Sequence, residues 1–223
     1  MATLFPSMIS SPKPALGVTT MNAVIFDIDG TLLQSDANDD ALYLAAVRDV
    51  LGNVNLRPTW SRYTQFTAAG ILAEILNDNA IDATIETVTA VRDRFVASVL
   101  RHVAEHGPFA EIPGAKAFVE GLHNSPTHRV AYATGGWRGS ALLKLSTSGF
   151  PVTGVALATS DDHFERQAIM LHALGQLHGT FSTVTYYGDG HWDAAAAKAL
   201  GWHFVPVGTK LNGLTSTSRH KCA

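Results

Sequence analysis

The chain has 223 residues, of which 46% are hydrophobic, and its 16 basic and 19 acidic side chains give a formal net charge of −3. A chain of this length can bury a core without disulfides or a structural metal. Its charge balance lacks the basic excess that nucleic-acid binding usually requires, so we predict no nucleic-acid partner. No apolar run approaches the roughly 20 residues that cross a bilayer, so we predict no membrane partner. The single cysteine, Cys222, excludes an internal disulfide framework and favours a reducing cytoplasm.

Residues 1–20 are rich in Ser, Thr and Pro, and contain no continuous apolar segment of the kind found in secretory signals. We predict a disordered leader here, or translation that starts at Met21 in the cell. The first strong apolar run begins directly after that methionine.

Short, continuous apolar runs recur along the rest of the chain, at residues 23–26, 130–133, 154–158, 184–187 and 204–207. Such runs are typical of strands in a parallel sheet that is buried on both faces. Amphipathic helical stretches separate the later runs. This alternation predicts an α/β fold with a Rossmann-like, doubly wound parallel sheet.

The strand signal disappears between residues 36 and 110, where only helical periodicity remains. Ala41, Leu44 and Ala45 begin the first apolar stripe, after a possible helix cap at Asp36. Two further stripes follow, near residues 71–76 and 85–103. We therefore predict an all-helical insert over 36–110, and a core made of 21–35 and 111–223.

Polar side chains follow three of the predicted strands at the point where each strand ends. In an open parallel sheet, ligands bind beyond the carboxyl ends of the strands, so these side chains should meet in one crevice. Four neighbouring carboxylates would repel one another unless a cation lay among them, and oxygen ligands without Cys or clustered His favour Mg²⁺. The residues are Asp27, Asp29, Thr134, Gly135, Gly136, Asp189 and Asp193.

The order of these motifs resembles the haloacid dehalogenase superfamily. The motifs are Asp27-x-Asp29-Gly30-Thr31-Leu32 after a strand, Thr134 after a second strand, a basic residue downstream, and Gly188-Asp189-x-x-x-Asp193 after a fourth. The resemblance covers residues 21–208. The helical insert resembles the cap of the subfamily that includes phosphoglycolate phosphatases and β-phosphoglucomutases.

The resemblance implies a role for each carboxylate. Asp27 would attack phosphorus and form an aspartyl-phosphate. Asp29 would protonate the leaving oxygen and later take a proton from the hydrolytic water. Mg²⁺ would be held by the Asp27 carboxylate, the Asp29 carbonyl and Asp189, with Asp193 either a further ligand or a partner of the ligands.

The resemblance also implies a phosphate-binding set. The Thr134 hydroxyl and the Gly135 amide, at the predicted start of a helix, would hold phosphate oxygens. The family often carries a Lys followed by Pro as its basic residue, whereas this chain offers Arg166 with no Pro after it. We choose Arg166, which can grip two oxygens, over Lys144, which we predict to be a solvated side chain on a helix.

Within the family that the chain resembles, true dehalogenases lack an acid at the position of Asp29, because a halide leaving group needs no proton. The resemblance therefore implies phosphate-ester chemistry for this chain. We therefore predict a Mg²⁺-dependent phosphatase that acts on a small phosphorylated metabolite in the cytoplasm, as a monomer or homodimer. A phosphomutase of the same fold and a non-catalytic binding module remain as alternatives.

A polar and aromatic stretch in the insert has two interpretations. It could be a specificity loop that faces the nucleophile, in which two arginines receive a second anionic group of the substrate. It could equally be a surface loop whose aromatic side chains pack on the neighbouring helices. The residues are Arg57, Trp60, Arg62, Tyr63 and Phe66.

Overall fold

A computed structural model describes residues 20–211 and 213–216. The predicted leader, apart from Thr20, and Cys222 lie outside the described residues. None of the helices that are described has the length and apolar character needed to cross a bilayer.

The five predicted strands form one parallel sheet in the order β3-β2-β1-β4-β5. They span Met21–Phe26 (β1), His128–Ala133 (β2), Ala156–Ala158 (β3), Phe181–Gly188 (β4) and His203–Pro206 (β5). With β1 in the middle, the strand order reverses on either side of it, and this reversal opens a crevice at the carboxyl ends of β1, β2 and β4. The predicted doubly wound α/β sheet is confirmed.

Three α-helices follow β1 within residues 36–110. They span Asp36–Leu51 (α1), Ala68–Asp78 (α2) and Ile85–His106 (α3), and a short 3-10 helix covers Trp60–Arg62. The all-helical cap that was predicted after the first strand is present, and its boundaries at 36 and 110 remain a prediction. Asp36 is the first residue of α1 and not its cap, because Ser35 occupies the N-cap position.

Four further helices cover the sheet: Ala115–His123 (α4), Arg138–Thr147 (α5), Arg166–Gly175 (α6) and His191–Leu200 (α7). Alternate residues of β1 enter different hydrophobic clusters, with Val24 and Phe26 in one and Ile25 in the other. Both faces of the central strand are therefore buried, as expected for a doubly wound sheet.

Aromatic stacking and two hydrogen bonds hold the cap against the core. The ring of Tyr43 in α1 stacks on Trp137 at a centroid distance of 5.5 Å. The Ala68 amide donates to the Gly135 carbonyl at 2.7 Å, and Thr67 Oγ1 donates to the Phe164 carbonyl at 2.7 Å. The start of α2 is thereby fixed beside the loops that follow β2 and β3.

Candidate active site

Three buried carboxylates meet at the carboxyl ends of the central strands. Asp27 directly follows β1, Asp189 directly follows β4, and Asp193 lies in the first turn of α7. Carboxylate oxygens of the three lie within 4.8 Å of one another, and the residues are 3%, 3% and 0% exposed. The structure thus brings together the predicted nucleophile and two of the predicted metal ligands.

The charge of this cluster is only partly offset. Burial raises the pKa of Asp27 well above its usual value, and Arg166 opposes that shift. Burial also raises the pKa of Asp189 to about 7, and it raises the pKa of Asp193. Three oxygen ligands at this spacing, with negative charge left to neutralise, fit a hard divalent cation such as Mg²⁺. That the backbone carbonyl of Asp29 also binds the cation remains a prediction.

Arg166, the first residue of α6, lies on the carboxylate cluster. Its Nη1 donates to Asp27 Oδ1 at 3.2 Å, and its Nε lies 3.3 Å from Asp193 Oδ1. The side chain is 10% exposed, so its charge acts in a poorly solvated place. The structure therefore places Arg166 where the basic residue was predicted, while its role toward phosphate stays a prediction.

Lys144 is not solvated, and the prediction that it would be is wrong. Its side chain is fully buried, and its Nζ donates to Asp29 Oδ1 at 2.5 Å and to Asp39 Oδ2 at 2.6 Å. In the sequence, Lys144 stands three residues after Ala141, which is buried, and residues three apart lie on the same face of a helix. The lysine therefore shares the inward face of α5. That helical spacing was the signal that sequence reasoning missed.

The loop after β2 carries Thr134 and Gly135, as predicted, but no helix begins at Gly135. α5 begins at Arg138, because Trp137 has an extended backbone and is buried against the cap. Thr134 is 2% exposed, and its Oγ1 accepts a hydrogen bond from the Gly136 amide at 3.1 Å. The Gly135 amide therefore belongs to a turn and not to a helix N-terminus.

A cavity of about 390 Å³ opens above the carboxylates, between core and cap. Neither Arg57 nor Arg62 is among the described residues that line it, and Arg57 Nε is instead held by Asp78 at 2.7 Å. The interpretation in which these two arginines receive a second anion is therefore not supported. Aromatic side chains line much of the cavity, namely Tyr43, Trp60, Phe66, Phe95 and Trp192.

A family model for haloacid dehalogenase-like hydrolases matches residues 21–201. The chain belongs to this family. The sequence-based prediction of an enzyme of the haloacid dehalogenase superfamily is thereby confirmed. No curated protein matches the sequence at a significant level.

Several solved structures share the fold of this chain at low sequence identity. A hydrolase from Pseudomonas syringae is 21% identical with a TM-score of 0.66, over 82% of this chain and 83% of that one. CbbY from Rhodobacter sphaeroides in complex with phosphate is 21% identical with a TM-score of 0.64, over 91% and 90%. A predicted phosphoglycolate phosphatase from Haemophilus somnus is 17% identical with a TM-score of 0.57, over 91% and 93%. This likeness shows the fold.

A second cation of the site, Lys210, was not identified from the sequence. Lys210 Nζ lies 2.6 Å from Asp189 Oδ2 and also pairs with Asp36 in α1. Lys210 follows β5, whose carboxyl end reaches the same edge of the sheet as β4. That position was the available signal, because every loop at this edge can contribute to the crevice.

Proposed function

We propose that this hydrolase is a Mg²⁺-dependent phosphatase that cleaves a small phosphorylated metabolite through an aspartyl-phosphate. The observation that carries the proposal is the position of Asp27. Its carboxylate lies at the floor of the cavity, against Arg166 and within reach of two more buried carboxylates. A carboxylate can attack a phosphate dianion only where positive charge offsets the repulsion between them.

Asp27, Asp189 and Asp193 would hold the Mg²⁺ ion, together with the backbone carbonyl of Asp29. Bound there, Mg²⁺ supplies positive charge to the phosphate oxygens and to the attacking carboxylate. Asp189 and Asp193 fit this role because both are buried, and because burial favours their neutral forms when no cation is near.

The reaction proceeds in two displacements at phosphorus. In the first, an Asp27 carboxylate oxygen bonds to phosphorus while the ester P–O bond breaks, and Asp29 donates a proton to the leaving oxygen. In the second, water attacks phosphorus, Asp29 takes its proton, and the bond from phosphorus to Asp27 breaks. Arg166, Thr134 and the Gly135 amide hold the transferring phosphate oxygens throughout.

The size and surroundings of the cavity support a small substrate. Its volume of about 390 Å³ lies within the range of pockets for small molecules. CbbY has been crystallised in complex with phosphate. A mutant of CbbY, which is 20% identical to this chain, has been crystallised with xylulose-(1,5)bisphosphate. A phosphorylated metabolite of the cytoplasm fits this setting, with the protein acting as a monomer or homodimer.

The test is phosphate release from p-nitrophenyl phosphate and a panel of phosphorylated metabolites, with Mg²⁺ or with EDTA. We expect turnover that requires Mg²⁺ and falls at least about 10³-fold in Asp27→Asn, because the attacking group is lost. Asp82→Asn is the matched control, since Asp82 is an exposed residue between α2 and α3.

Three results would overturn the proposal. Unchanged turnover in Asp27→Asn would exclude the aspartyl-phosphate mechanism. Isomerised sugar phosphate without released phosphate would indicate a phosphomutase, which uses the same residues but excludes water. Ligand binding without release or product would indicate a non-catalytic binding module.

A further inference from the structure

Lys144 is a fully buried cation to which the mechanism above gives no task. Three separate segments meet at its ammonium: α5, which carries it, the loop after β1 through Asp29, and α1 of the cap through Asp39. Both contacts are short, at 2.5 and 2.6 Å, and they approach Nζ from core and cap. The lysine therefore has little freedom to move.

Of the two carboxylate oxygens of Asp29, Lys144 contacts Oδ1. Oδ1 accepts from Lys144 Nζ and from the hydroxyl of Ser35. Oδ2 faces the loop after β2, where a Cβ added to Gly136 would lie 3.7 Å from Asp29 Oδ2 and 3.5 Å from Thr134 Oγ1. Asp29 Oδ2 thus borders the same small space as the hydroxyl expected to bind phosphate.

Stability alone does not explain a lysine at this position. A buried ion pair recovers little more than its desolvation cost, and apolar residues of similar volume often serve equally well. The neighbours of Lys144 along α5, Ala141 and Leu145, are apolar and buried, so the stem of a methionine would fit there, whereas the ammonium lies between Asp29 and Asp39. What a methionine could not do is hold Asp29 Oδ1.

We propose that Lys144 is a positioning residue that, together with Ser35, fixes the Asp29 carboxylate with Oδ2 toward the leaving oxygen. Asp39 holds the far side of the ammonium and so fixes the lysine itself. This inference rests on the proposed function, because it assigns the orientation of the group that donates the proton. Proton transfer requires the acid to lie within hydrogen-bond reach of the atom that it protonates.

The test compares two substrates of similar size that differ in their need for a proton. Benzyl phosphate releases a strongly basic alkoxide, whereas p-nitrophenyl phosphate releases a stabilised phenolate. We expect Lys144→Met to lower kcat/KM for benzyl phosphate by about 10–100-fold, within the usual contribution of acid catalysis, and for p-nitrophenyl phosphate by less than about threefold. The constant kcat/KM is used because it reports the steps up to formation of the aspartyl-phosphate.

Three variants sharpen the comparison. Lys144→Arg should recover part of the benzyl phosphate activity, because it restores a donor to Oδ1. Lys144→Met added to Asp29→Asn should cause no further loss, since the lysine acts through that carboxyl group. Lys198→Met, at an exposed lysine of α7, is the matched control and should behave as wild type.

Lys144→Met leaves two buried carboxylates without their cation, and this could unfold the protein. The double variant Asp39→Asn/Lys144→Met removes one of those carboxylates. We expect thermal unfolding to show that the double variant is folded, and we expect the substrate bias to persist in it. Equal losses on the two substrates, or losses that add to those of Asp29→Asn, would overturn the inference and leave the phosphatase standing. Absence of Mg²⁺-dependent release from both substrates in wild type would overturn both.

Discussion

The guanidinium of Arg166 bridges the proposed nucleophile Asp27 and the neighbouring Asp193. Nη1 lies 3.2 Å from Asp27 Oδ1, and Nε lies 3.3 Å from Asp193 Oδ1. One buried cation thereby offsets part of the charge of two buried carboxylates and opposes the rise that burial causes in the pKa of each. The bridge also aims the guanidinium at the oxygen that would attack phosphorus.

We expect Arg166→Ala to lower kcat by about 10²-fold or more, because the variant loses charge at the transferring phosphate. Arg166→Lys should retain part of this activity, since it keeps the charge but cannot contact Asp27 and Asp193 from two nitrogens. Steady-state phosphate release measures the effect, with Arg101→Ala at an exposed arginine of α3 as control. An Arg166→Ala enzyme with half of wild-type turnover would remove Arg166 from the mechanism.

Asp189 offers a separate test of the metal site. Asp189→Asn removes one charge from a cluster whose oxygens lie within 4.8 Å of one another. We expect the Mg²⁺ concentration for half-maximal activity to rise at least about tenfold, because a carboxylate binds a hard cation more strongly than an amide does. Titration calorimetry with Mg²⁺ checks the binding directly. A Mg²⁺ dependence equal to that of Asp82→Asn would place the metal elsewhere.

Asp39 makes the stability of the protein depend on pH. Burial raises the pKa of Asp39 to about 7, although Lys144 acts in the opposite direction. An unfolded Asp titrates near pH 4, so between about pH 4 and 7 the folded state binds the proton more tightly than the unfolded state does. The stability from this group is therefore fully present below about pH 4, and is lost as the pH rises through 7.

Asp39→Asn should abolish this part of the pH dependence. We expect the difference in the free energy of unfolding, variant minus wild type, to increase by about 1–3 kcal/mol from pH 5 to pH 8. Urea unfolding with EDTA at the two pH values measures this, and Asp82→Asn should show no such change. The prediction fails if the difference between Asp39→Asn and wild type is the same at both values.

Much of the fold and of the site could be predicted from local patterns. The apolar run before Asp27 specifies a strand that is buried on both faces, and the acidic residue that ends it marks the carboxyl edge of the sheet. The same pattern recurs at β4 and Asp189. Each of these predictions depends on residues adjacent in the chain, which is why it could be made without coordinates.

The contacts of Lys144 and Lys210 could not be predicted in this way. Lys144 meets Asp29 across 115 positions of the chain, and Lys210 meets Asp189 across 21. The helical spacing of Lys144 with Ala141 indicates an inward face, but it identifies no partner for the charge. Since a lysine is usually solvated, the most buried cation of the site was assigned to solvent.

Gly135 tests whether the contact between the cap and the loop after β2 matters for catalysis. A Cβ at this position would lie 2.8 Å from the Phe66 carbonyl and 3.2 Å from Arg166 Nη2. Because the nearer atom belongs to the backbone, the start of α2 or the loop must shift. We expect Gly135→Ala to lower kcat/KM at least about tenfold and to cost about 1–3 kcal/mol in the free energy of unfolding.

Gly121→Ala is the matched control for this prediction. Gly121 lies within α4, and an added Cβ there meets no atom within 4 Å. Alanine favours a helix interior over glycine by roughly 0.5–1 kcal/mol, so the control should be slightly more stable than wild type and fully active. Steady-state kinetics and urea unfolding of both variants decide the matter. Wild-type kinetics in Gly135→Ala would mean that the contact with Phe66 does not constrain the loop after β2.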